Sequence, residues 1–391
     1  MLRPVSAGII SGLVAFTSSF VVVLAGLEGV GASPAQAASG LLAVSVLMGL
    51  CSMLLSLPTR LPITVAWSTP GAALLAATGA VDGGWPAAVG AFVLVGVLIV
   101  LTGLVPALGA LMARIPTPIA QAMLAGVLFQ LCLGPVLGVA ANPLAVAPVI
   151  VVWALAQRLS PRWASPLAFL AASVVIVVSL TAAPSPSAAP PLLPAVELTV
   201  PTLTVGAVVG VALPLYLVTM ASQNVPGVAV MRSLGYEVPW RASMATTGLG
   251  TMIGAPLGGH GVNLAAITAA LAAGPEAGED RQRRWIASTA SGVVLVLCGL
   301  GATAFAQLIA LAPEGVIPAV AGLALLGTFV ASLRSALAER EEQLPAGVTV
   351  LIAASGIAVA GISAAFWALL VGLALRALLR AGRRTGSAHS G

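Results

Sequence analysis

Residues 254–274 read GAPLGGHGVNLAAITAALAAG, and residues 62–80 read PITVAWSTPGAALLAATGA. In both stretches a proline precedes a short run of β-branched, glycine or polar residues, and an Ala/Leu run then continues to a glycine. The first part favours extended backbone and the second favours helix. We therefore predict two broken segments, each an extended stretch followed by a half-helix, with helix N-termini near Thr69 to Gly71 and near Asn263 to Ala265.

The composition indicates that lipid surrounds these segments. The chain has 391 residues, of which 59% are hydrophobic and only 7% charged, and its mean hydropathy is +1.11. A soluble protein of this length needs far less apolar sequence. Long Leu/Ala/Val/Gly runs without alternating polar residues favour helices over a β-barrel. We predict an all-α polytopic membrane protein embedded in a lipid bilayer.

The reactive side chains predict neither an enzyme nor a metal site. Cys51, Cys132 and Cys298 each lie inside an apolar run, where packing is a simpler role than a disulfide. No Cys/His/Asp/Glu spacing is typical of metal ligands, and no Ser/His/Asp arrangement has an acid within the membrane body. We expect no cofactor and no metal.

The apolar runs divide into about fourteen transmembrane segments. Arg3, the apolar run 5–27 and ASPAQAAS resemble a secretory signal, but this run is long enough to span a membrane and a second span follows at once. The predicted spans cover roughly residues 5–27, 34–56, 62–80, 86–110, 119–138, 142–157, 165–182, 204–224, 240–255, 256–274, 286–311, 315–333, 346–361 and 363–380.

Charge sets the expected orientation of these spans. With a cytoplasmic N-terminus, all 16 arginines fall on the cytoplasmic side, while the opposite loops carry only Glu28, Asp82, Glu197 and Glu314. The arginines are scattered singly between apolar runs, which argues against a nucleic-acid partner. We predict a bacterial inner-membrane protein with both termini in the cytoplasm.

A proline-rich connection near the middle of the chain divides it into halves. Seven predicted spans precede it and seven follow it, so the second half enters the membrane inverted relative to the first. Spans 3 and 10 are the broken segments. The predicted divisions are a first repeat over 1–182, an extracytoplasmic linker over 183–203, a second repeat over 204–380 and a cytoplasmic tail over 381–391.

The two half-helices suggest an anion site in the middle of the membrane. A helix N-terminus offers unpaired N–H groups and a positive dipole end, and two facing ends strengthen the effect. Asn263 could cap the second half-helix, and His260 could donate a hydrogen bond or carry a proton near neutral pH. In the alternative interpretation, His260 is a neutral core residue bonded to a carbonyl of a neighbouring span. Trp67 either walls the same cavity or only fills space.

Two polar clusters interrupt spans 1 and 8. Thr17, Ser18 and Ser19 lie halfway along span 1, although such hydroxyls often bond their own helix backbone. Ser222, Gln223 and Asn224 close span 8, unless that span ends early and they lie at the interface. The candidate substrate-binding residues are Thr17, Ser18, Trp67, Ser68, Thr69, Gly71, Gln223, Asn224, Gly261 and Asn263, with His260 as the candidate for proton coupling.

The second-half motifs resemble a known family. LYLVTMASQNVPGVAVMRSLGY at 215–236 and GGHGVNLAAITAA at 258–270 are similar to stretches of the bacterial benzoate/proton symporter family (BenE-type), and so are AWSTPGAALLA and the TSS of span 1. The resemblance implies the seven-plus-seven inverted-repeat fold of nucleobase and anion transporters. It implies a core domain from spans 1–4 and 8–11, a gate domain from spans 5–7 and 12–14, and an aromatic carboxylate carried inward with a proton.

These observations predict a secondary active transporter that imports benzoate or a similar aromatic carboxylate with a proton. Asn263, Thr69 and backbone N–H groups would hold the carboxylate, and Trp67 and Phe129 would face the ring. No Asp or Glu lies in the second-half site, which favours an anion over a neutral base and leaves His260 or the substrate carboxylate to carry the proton. Another small anion or a nucleobase as substrate, an uncoupled anion channel and a homodimeric state stay open as alternatives.

Overall fold

The computed structural model describes residues 2–113, 116–181, 195–266, 268–357, 359 and 362–386. The elements of the first half are α1 (Leu2–Thr17), α2 (Phe20–Gly29), α3 (Pro34–Thr59), β1 (Val65–Trp67), α4 (Thr69–Thr78), α5 (Gly84–Leu104), α6 (Pro106–Ala113), α7 (Thr117–Cys132), α8 (Gly134–Ala141), α9 (Pro143–Leu159) and α10 (Ala164–Thr181), with a 3₁₀ turn at Pro161–Trp163.

The second half has a similar order of elements. They are α11 (Val205–Ala207), α12 (Leu213–Thr219), α13 (Val225–Ser233), α14 (Trp240–Gly254), β2 (Val262–Leu264), α15 (Ala269–Ala273), α16 (Trp285–Leu300), α17 (Ala302–Ala310), α18 (Val316–Ala336), α19 (Gln343–Ser355) and α20 (Ala364–Gly386).

The helices have the length and composition of a multi-pass membrane protein. Within the described part of the chain, eight helical stretches are long and apolar enough to cross a bilayer, and Pro143–Leu159 and Gln343–Ser355 are shorter apolar helices. The prediction of an all-α polytopic chain is confirmed, whereas the exact number of fourteen spans stays a prediction. Residues 183–194 of the predicted linker, Arg114 and the last residues of the predicted tail lie outside the described ranges.

The helices pack in two groups. In the first helix group, comprising α1 to α5, α11 to α17 and both strands, α3 packs along α16 and α5 packs along α14. In the second helix group, comprising α7 to α10 and α18 to α20, α7 lies between α18 and α19. Glycines allow close crossings: a Cβ added at Gly96 would lie 2.8 Å from the Gly248 carbonyl oxygen. The residue bounds of the predicted core and gate domains stay predictions.

The two broken segments meet as predicted. β1 and β2 pair antiparallel, with Ala66 opposite Asn263. The first half-helix, α4, begins at Thr69, within the predicted range. The prediction that the second begins near Asn263 to Ala265 is wrong, because α15 starts at Ala269. The backbone stays extended through residue 265, where the amide of Ala265 donates to the carbonyl of Thr64 at 3.0 Å.

Spans 1 and 8 are irregular near the strands. α1 ends at Thr17 and α2 begins at Phe20, so span 1 is interrupted at Ser18 and Ser19. Span 8 continues to Ser233 and contains π-helical turns at Val208–Ala212 and Met220–Asn224. The prediction that Ser222, Gln223 and Asn224 close span 8 is therefore wrong, since they lie inside the helix. Such π turns are frequent at functional sites.

Several arginines contact glutamates and a backbone carbonyl at one end of the molecule. At one end Arg3 pairs with Glu279 at 3.5 Å, Arg162 pairs with Glu276 at 2.9 Å, and Arg281 donates to the carbonyl of Leu234 at 2.7 Å. We call this the arginine end; its orientation toward the cytoplasm stays a prediction.

At the other end the described part of the linker lies along the first helix group. The Trp85 Nε1 donates to Thr199 Oγ1 at 2.9 Å, and the Thr199 amide donates to the Pro256 carbonyl at 2.8 Å. The last helix, α20, continues to Gly386, beyond the predicted start of the tail at residue 381.

Candidate substrate site

A cavity of about 550 Å³ lies beside the paired strands. Both helix groups line it: the break of span 1, β1, the start of α4 and the second π turn of span 8 come from the first group, and α7, α9, α10 and α18 come from the second. Its size is typical of a small-molecule site. Polar lining residues include Ser18, Ser19, Thr69, Gln121, Gln157 and Gln223.

Ser19 connects the span 1 break to the first broken segment. Its hydroxyl accepts a hydrogen bond from Trp67 Nε1 at 2.9 Å and another from Thr69 Oγ1 at 3.1 Å. Trp67 is buried, and its ring packs against Phe16 with centroids 5.6 Å apart. Ser19 thus fixes the orientation of the Trp67 indole. Trp67 is one of the residues that line the cavity.

The other hydroxyls of the TSS cluster bond their own helix. Thr17 Oγ1 donates to the Leu13 carbonyl at 2.7 Å, and Ser18 Oγ donates to the Ala15 carbonyl at 3.3 Å. Ser18 lines the cavity, whereas Thr17 does not. The candidates predicted from the sequence included Thr17 and Ser18 and omitted Ser19. In the sequence, three adjacent hydroxyl residues give no sign of where the helix is interrupted.

Hydroxyls from spans 2 and 9 brace the two strands symmetrically. The Val65 amide donates to Ser52 Oγ at 2.9 Å, and the Val262 amide donates to Thr251 Oγ1 at 2.9 Å. Backbone away from water needs every N–H and C=O paired, and the described residues include no third strand beside these two. The two hydroxyls therefore satisfy amides on the outer edges of the strands. Sequence reasoning missed Ser52 and Thr251, although single hydroxyls in otherwise apolar spans are a signal for such bonds.

Asn224 completes the support of β2. Its Oδ1 accepts the Leu264 amide at 2.9 Å, and the side chain is fully buried. It does not line the cavity, whereas the preceding residue, Gln223, does. No hydrogen bond joins the Gln223 amide to another described group, so that amide is available to a ligand.

Two polar residues of the second broken segment, His260 and Asn263, lie behind the cavity wall, whereas Thr268 of the same segment lines the cavity. Asn263 and His260 are fully buried, and neither of them, nor Gly261, lines the cavity. Asn263 Nδ2 donates to the Leu264 carbonyl at 2.9 Å, so the prediction that Asn263 caps the half-helix is wrong, because the residue lies within β2. The Gly261 carbonyl accepts the Ser68 amide at 3.3 Å.

His260 contacts the first broken segment. Its Nε2 lies 3.1 Å from the Ser68 carbonyl oxygen, to which it can donate, and its Nδ1 contacts no hydrogen-bond partner among the described groups. This bond to a neighbouring carbonyl is the one that the alternative interpretation of a core histidine requires. Because His260 does not line the cavity, a ligand bound there would not contact the imidazole directly.

The N-terminus of α4 offers fewer free amides than expected. Ser68 Oγ accepts the Gly71 amide at 3.1 Å, and Pro70 has no N–H, so Thr69 supplies the free amide of the first turn. Ser68 and Gly71 do not line the cavity; a Cβ at Gly71 would overlap Leu215 of span 8. With only five residues, α15 contributes little dipole. Of the two facing helix N-termini that we predicted, only that of α4 can therefore contribute to an anion site.

Two residues of the second helix group depart from expectation. Phe129, expected to face the ligand, is 42% exposed and packs on Phe329 at 6.2 Å, outside the cavity lining. Arg162 was expected only as an orienting charge, yet it lines the cavity and is the one charged side chain among the described residues that do. Both positions depend on how α7 and the α9–α10 turn pack, which local sequence does not encode.

Aromatic rings close the space between the groups beside the cavity. Phe20 of α2 meets Phe169 of α10 edge-on at 4.8 Å, and Phe305 of α17 lies 5.2 Å from Phe20. The cavity itself reaches Arg162, which is paired to Glu276 at the arginine end. The aromatic contact and the charged contact thus join the two helix groups at different places around one cavity.

Comparisons with known proteins agree over nearly the whole chain. The BenE family model, described as benzoate membrane transport protein, matches residues 2–378. The inner membrane protein YdcO of Escherichia coli is 36% identical over 366 residues, covering 94% of this chain and 93% of that protein. The benzoate membrane transport protein of Acinetobacter baylyi is 30% identical over 367 residues, covering 94% and 92%.

A solved structure shares the fold. The transmembrane domain of the cyanobacterial bicarbonate transporter BicA aligns with a TM-score of 0.61 at 17% identity, covering 95% of this chain and 98% of that one. At this identity the likeness concerns architecture alone.

Proposed function

Because the chain belongs to the benzoate membrane transport protein family, we propose that it imports benzoate or a similar aromatic carboxylate together with a proton across the bacterial inner membrane. Membership of this family makes it a membrane transport protein and not an enzyme. The substrate and the proton coupling are the proposal.

One observation carries the proposed substrate class: the cavity combines an indole wall with uncharged hydrogen-bond donors and lacks acidic lining. Trp67 supplies an aromatic face, Thr69 supplies the free backbone N–H of the first turn of α4, and Gln223 supplies a side-chain amide. Among the described lining residues, none is Asp or Glu. An acid would repel a carboxylate, whereas donors can replace part of its hydration, so this lining suits an aromatic anion.

We propose that the ring packs against Trp67 and that the carboxylate accepts hydrogen bonds from the backbone N–H of Thr69 and from the side-chain amide of Gln223. Asn224, Ser68, Gly71, Gly261 and Asn263 would then act indirectly, by holding the strands and α4 in place. Transport would follow from a shift of one helix group against the other, which would open the cavity first to one side and then to the other.

Two groups are candidates for carrying the proton, His260 and the substrate carboxylate. A proton on His260 would influence the cavity through Ser68, whose carbonyl accepts both the imidazole and the Ala72 amide of the first turn of α4. We propose this indirect route for His260, because the imidazole does not reach the cavity lining.

Reconstituted uptake tests the function. Wild-type proteoliposomes should accumulate labelled benzoate above equilibrium when an inward proton gradient is imposed, and should only equilibrate without it. His260→Gln keeps a side-chain amide that can donate to the Ser68 carbonyl, so it should fold and bind benzoate while losing the effect of the gradient. Unchanged gradient-driven accumulation in this variant would remove His260 and leave the substrate carboxylate as the carrier.

The same preparation separates the alternatives. Unlabelled nucleobases or small inorganic anions that compete better than benzoate would indicate another substrate on the same fold. Benzoate flux that never exceeds equilibrium under a proton gradient would indicate an uncoupled anion channel.

A further inference from the structure

The charged side chain of the cavity is engaged in an ion pair that joins the two helix groups. Arg162 Nη1 lies 2.9 Å from Glu276 Oε2. Arg162 belongs to the 3₁₀ turn between α9 and α10, in the second helix group, and Glu276 belongs to the turn Pro275–Ala277 that follows α15 in the first. The pair therefore connects the groups where the cavity reaches the arginine end.

This ion pair is exposed enough to exchange partners. The side chains of Arg162 and Glu276 are 44% and 60% exposed. Solvent-exposed pairs contribute little to stability, because water and salt screen them. The contact also uses a single Arg162 nitrogen, so an incoming acceptor can bind a free guanidinium donor before Glu276 leaves.

A carboxylate within the cavity is such an acceptor. Guanidinium groups bind carboxylates through two parallel hydrogen bonds, and this geometry is more favourable than a single-contact pair. Arg162 lines the cavity and also pairs with Glu276, which does not line it. A substrate carboxylate that reaches this position competes directly with Glu276 for the same cation.

We propose that Arg162 is a carboxylate-binding residue at the arginine end of the cavity, and that it exchanges Glu276 for the substrate during passage. With the cavity empty, Arg162 pairs with Glu276 of the other helix group. Substrate binding to Arg162 releases Glu276 and removes this contact between the groups. This assignment rests on the proposed function, since it requires an aromatic carboxylate in the cavity.

Opposite effects of the two partners test the assignment. Binding of labelled benzoate to purified protein should weaken at least tenfold in Arg162→Gln. It should be unchanged or tighter in Glu276→Gln, because Arg162 is then free of its competitor. If Arg162 acted only through the ion pair, removing either partner would have the same effect on binding, and that result would overturn the assignment.

A charge exchange and a neighbouring arginine provide the controls. Arg162→Glu combined with Glu276→Arg restores an ion pair but not a cation on the α9–α10 turn, so its benzoate binding should stay as weak as that of Arg162→Gln. Recovery of wild-type affinity in the exchange variant would refute substrate binding by Arg162. Arg158→Gln, in the last turn of α9 and outside the cavity lining, should bind like wild type.

The outcome for the wild-type protein separates this inference from the proposed function. Absence of benzoate binding to the wild type would overturn the proposed function and this assignment with it. Wild-type binding that Arg162→Gln leaves unchanged would overturn the assignment alone and leave the proposed function standing.

Discussion

Gln223 and Asn224 are adjacent residues of one π turn, and their substitutions should affect different properties. Loss of Asn224 should lower stability, and loss of Gln223 should weaken benzoate binding. Asn224→Leu removes the oxygen that accepts the Leu264 amide at 2.9 Å in a fully buried environment. A buried donor left without a partner costs about 1–3 kcal/mol. We therefore expect Asn224→Leu to lower the free energy of unfolding by about 2 kcal/mol.

Gln223→Ala is the matched substitution one residue earlier. The Gln223 amide bonds no other described group and lines the cavity, so its removal leaves no buried partner unpaired and should cost less stability than Asn224→Leu does. If the amide binds the carboxylate, its loss removes a hydrogen bond to a charged group, worth about 1.5–3 kcal/mol. Benzoate affinity should then fall about 10-fold to 150-fold.

Both quantities can be measured on the same purified samples. Denaturation in a fixed detergent reports the change in stability, and equilibrium binding of labelled benzoate reports the change in affinity. The reasoning would be refuted if Gln223→Ala destabilised the protein as much as Asn224→Leu does, or if it bound benzoate like wild type. Wild-type stability of Asn224→Leu would likewise show that β2 does not depend on this side chain.

Three further substitutions probe packing and charge. Gly26→Val places side-chain atoms against the Ala72 carbonyl, where even a Cβ overlaps, so it should separate α2 from α4 and abolish uptake. Gly347→Ala, where a Cβ meets nothing within 4 Å, should leave uptake unchanged. Glu342→Gln weakens the contacts to Arg376 and Arg380 at 2.9 and 2.6 Å and should cost about 1–3 kcal/mol in denaturation. A loss below about 0.5 kcal/mol would show that these partly exposed arginines are well solvated without it.

The sequence predicted the parts of the fold that local chemistry determines. Proline followed by β-branched and polar residues identified both broken segments, since such a run disfavours a continuous helix. The start of α4 at Thr69 followed from the Ser-Thr-Pro sequence, because Ser is a good N-cap and Pro suits the first turn. The late start of α15 was not predictable in this way, because contacts from Thr64 and Asn224 keep the preceding residues extended.

The sequence correctly predicted cavity-lining residues from the first helix group only. Ser18, Trp67, Thr69 and Gln223 were named from the sequence and line the cavity. The lining from the second helix group was missed, because Gln121, Gln157 and Arg162 reach it only through the packing of helices distant in sequence. The prediction that Phe129 faces the ligand was wrong for the same reason, because the rotation of α7 about its axis decides which of its residues face the cavity.

The pairing of β1 with β2 has a consequence for biosynthesis. At translation rates of about 5–20 residues per second, roughly 10–40 s pass between synthesis of the two strands. During that interval the inner edge of β1 has no partner, and an unpaired peptide group is expensive in hydrocarbon. The newly made first half must therefore keep the edge of β1 hydrated or bound to a chaperone until β2 has been synthesised. We expect the protein to enter the lipid fully only after that point.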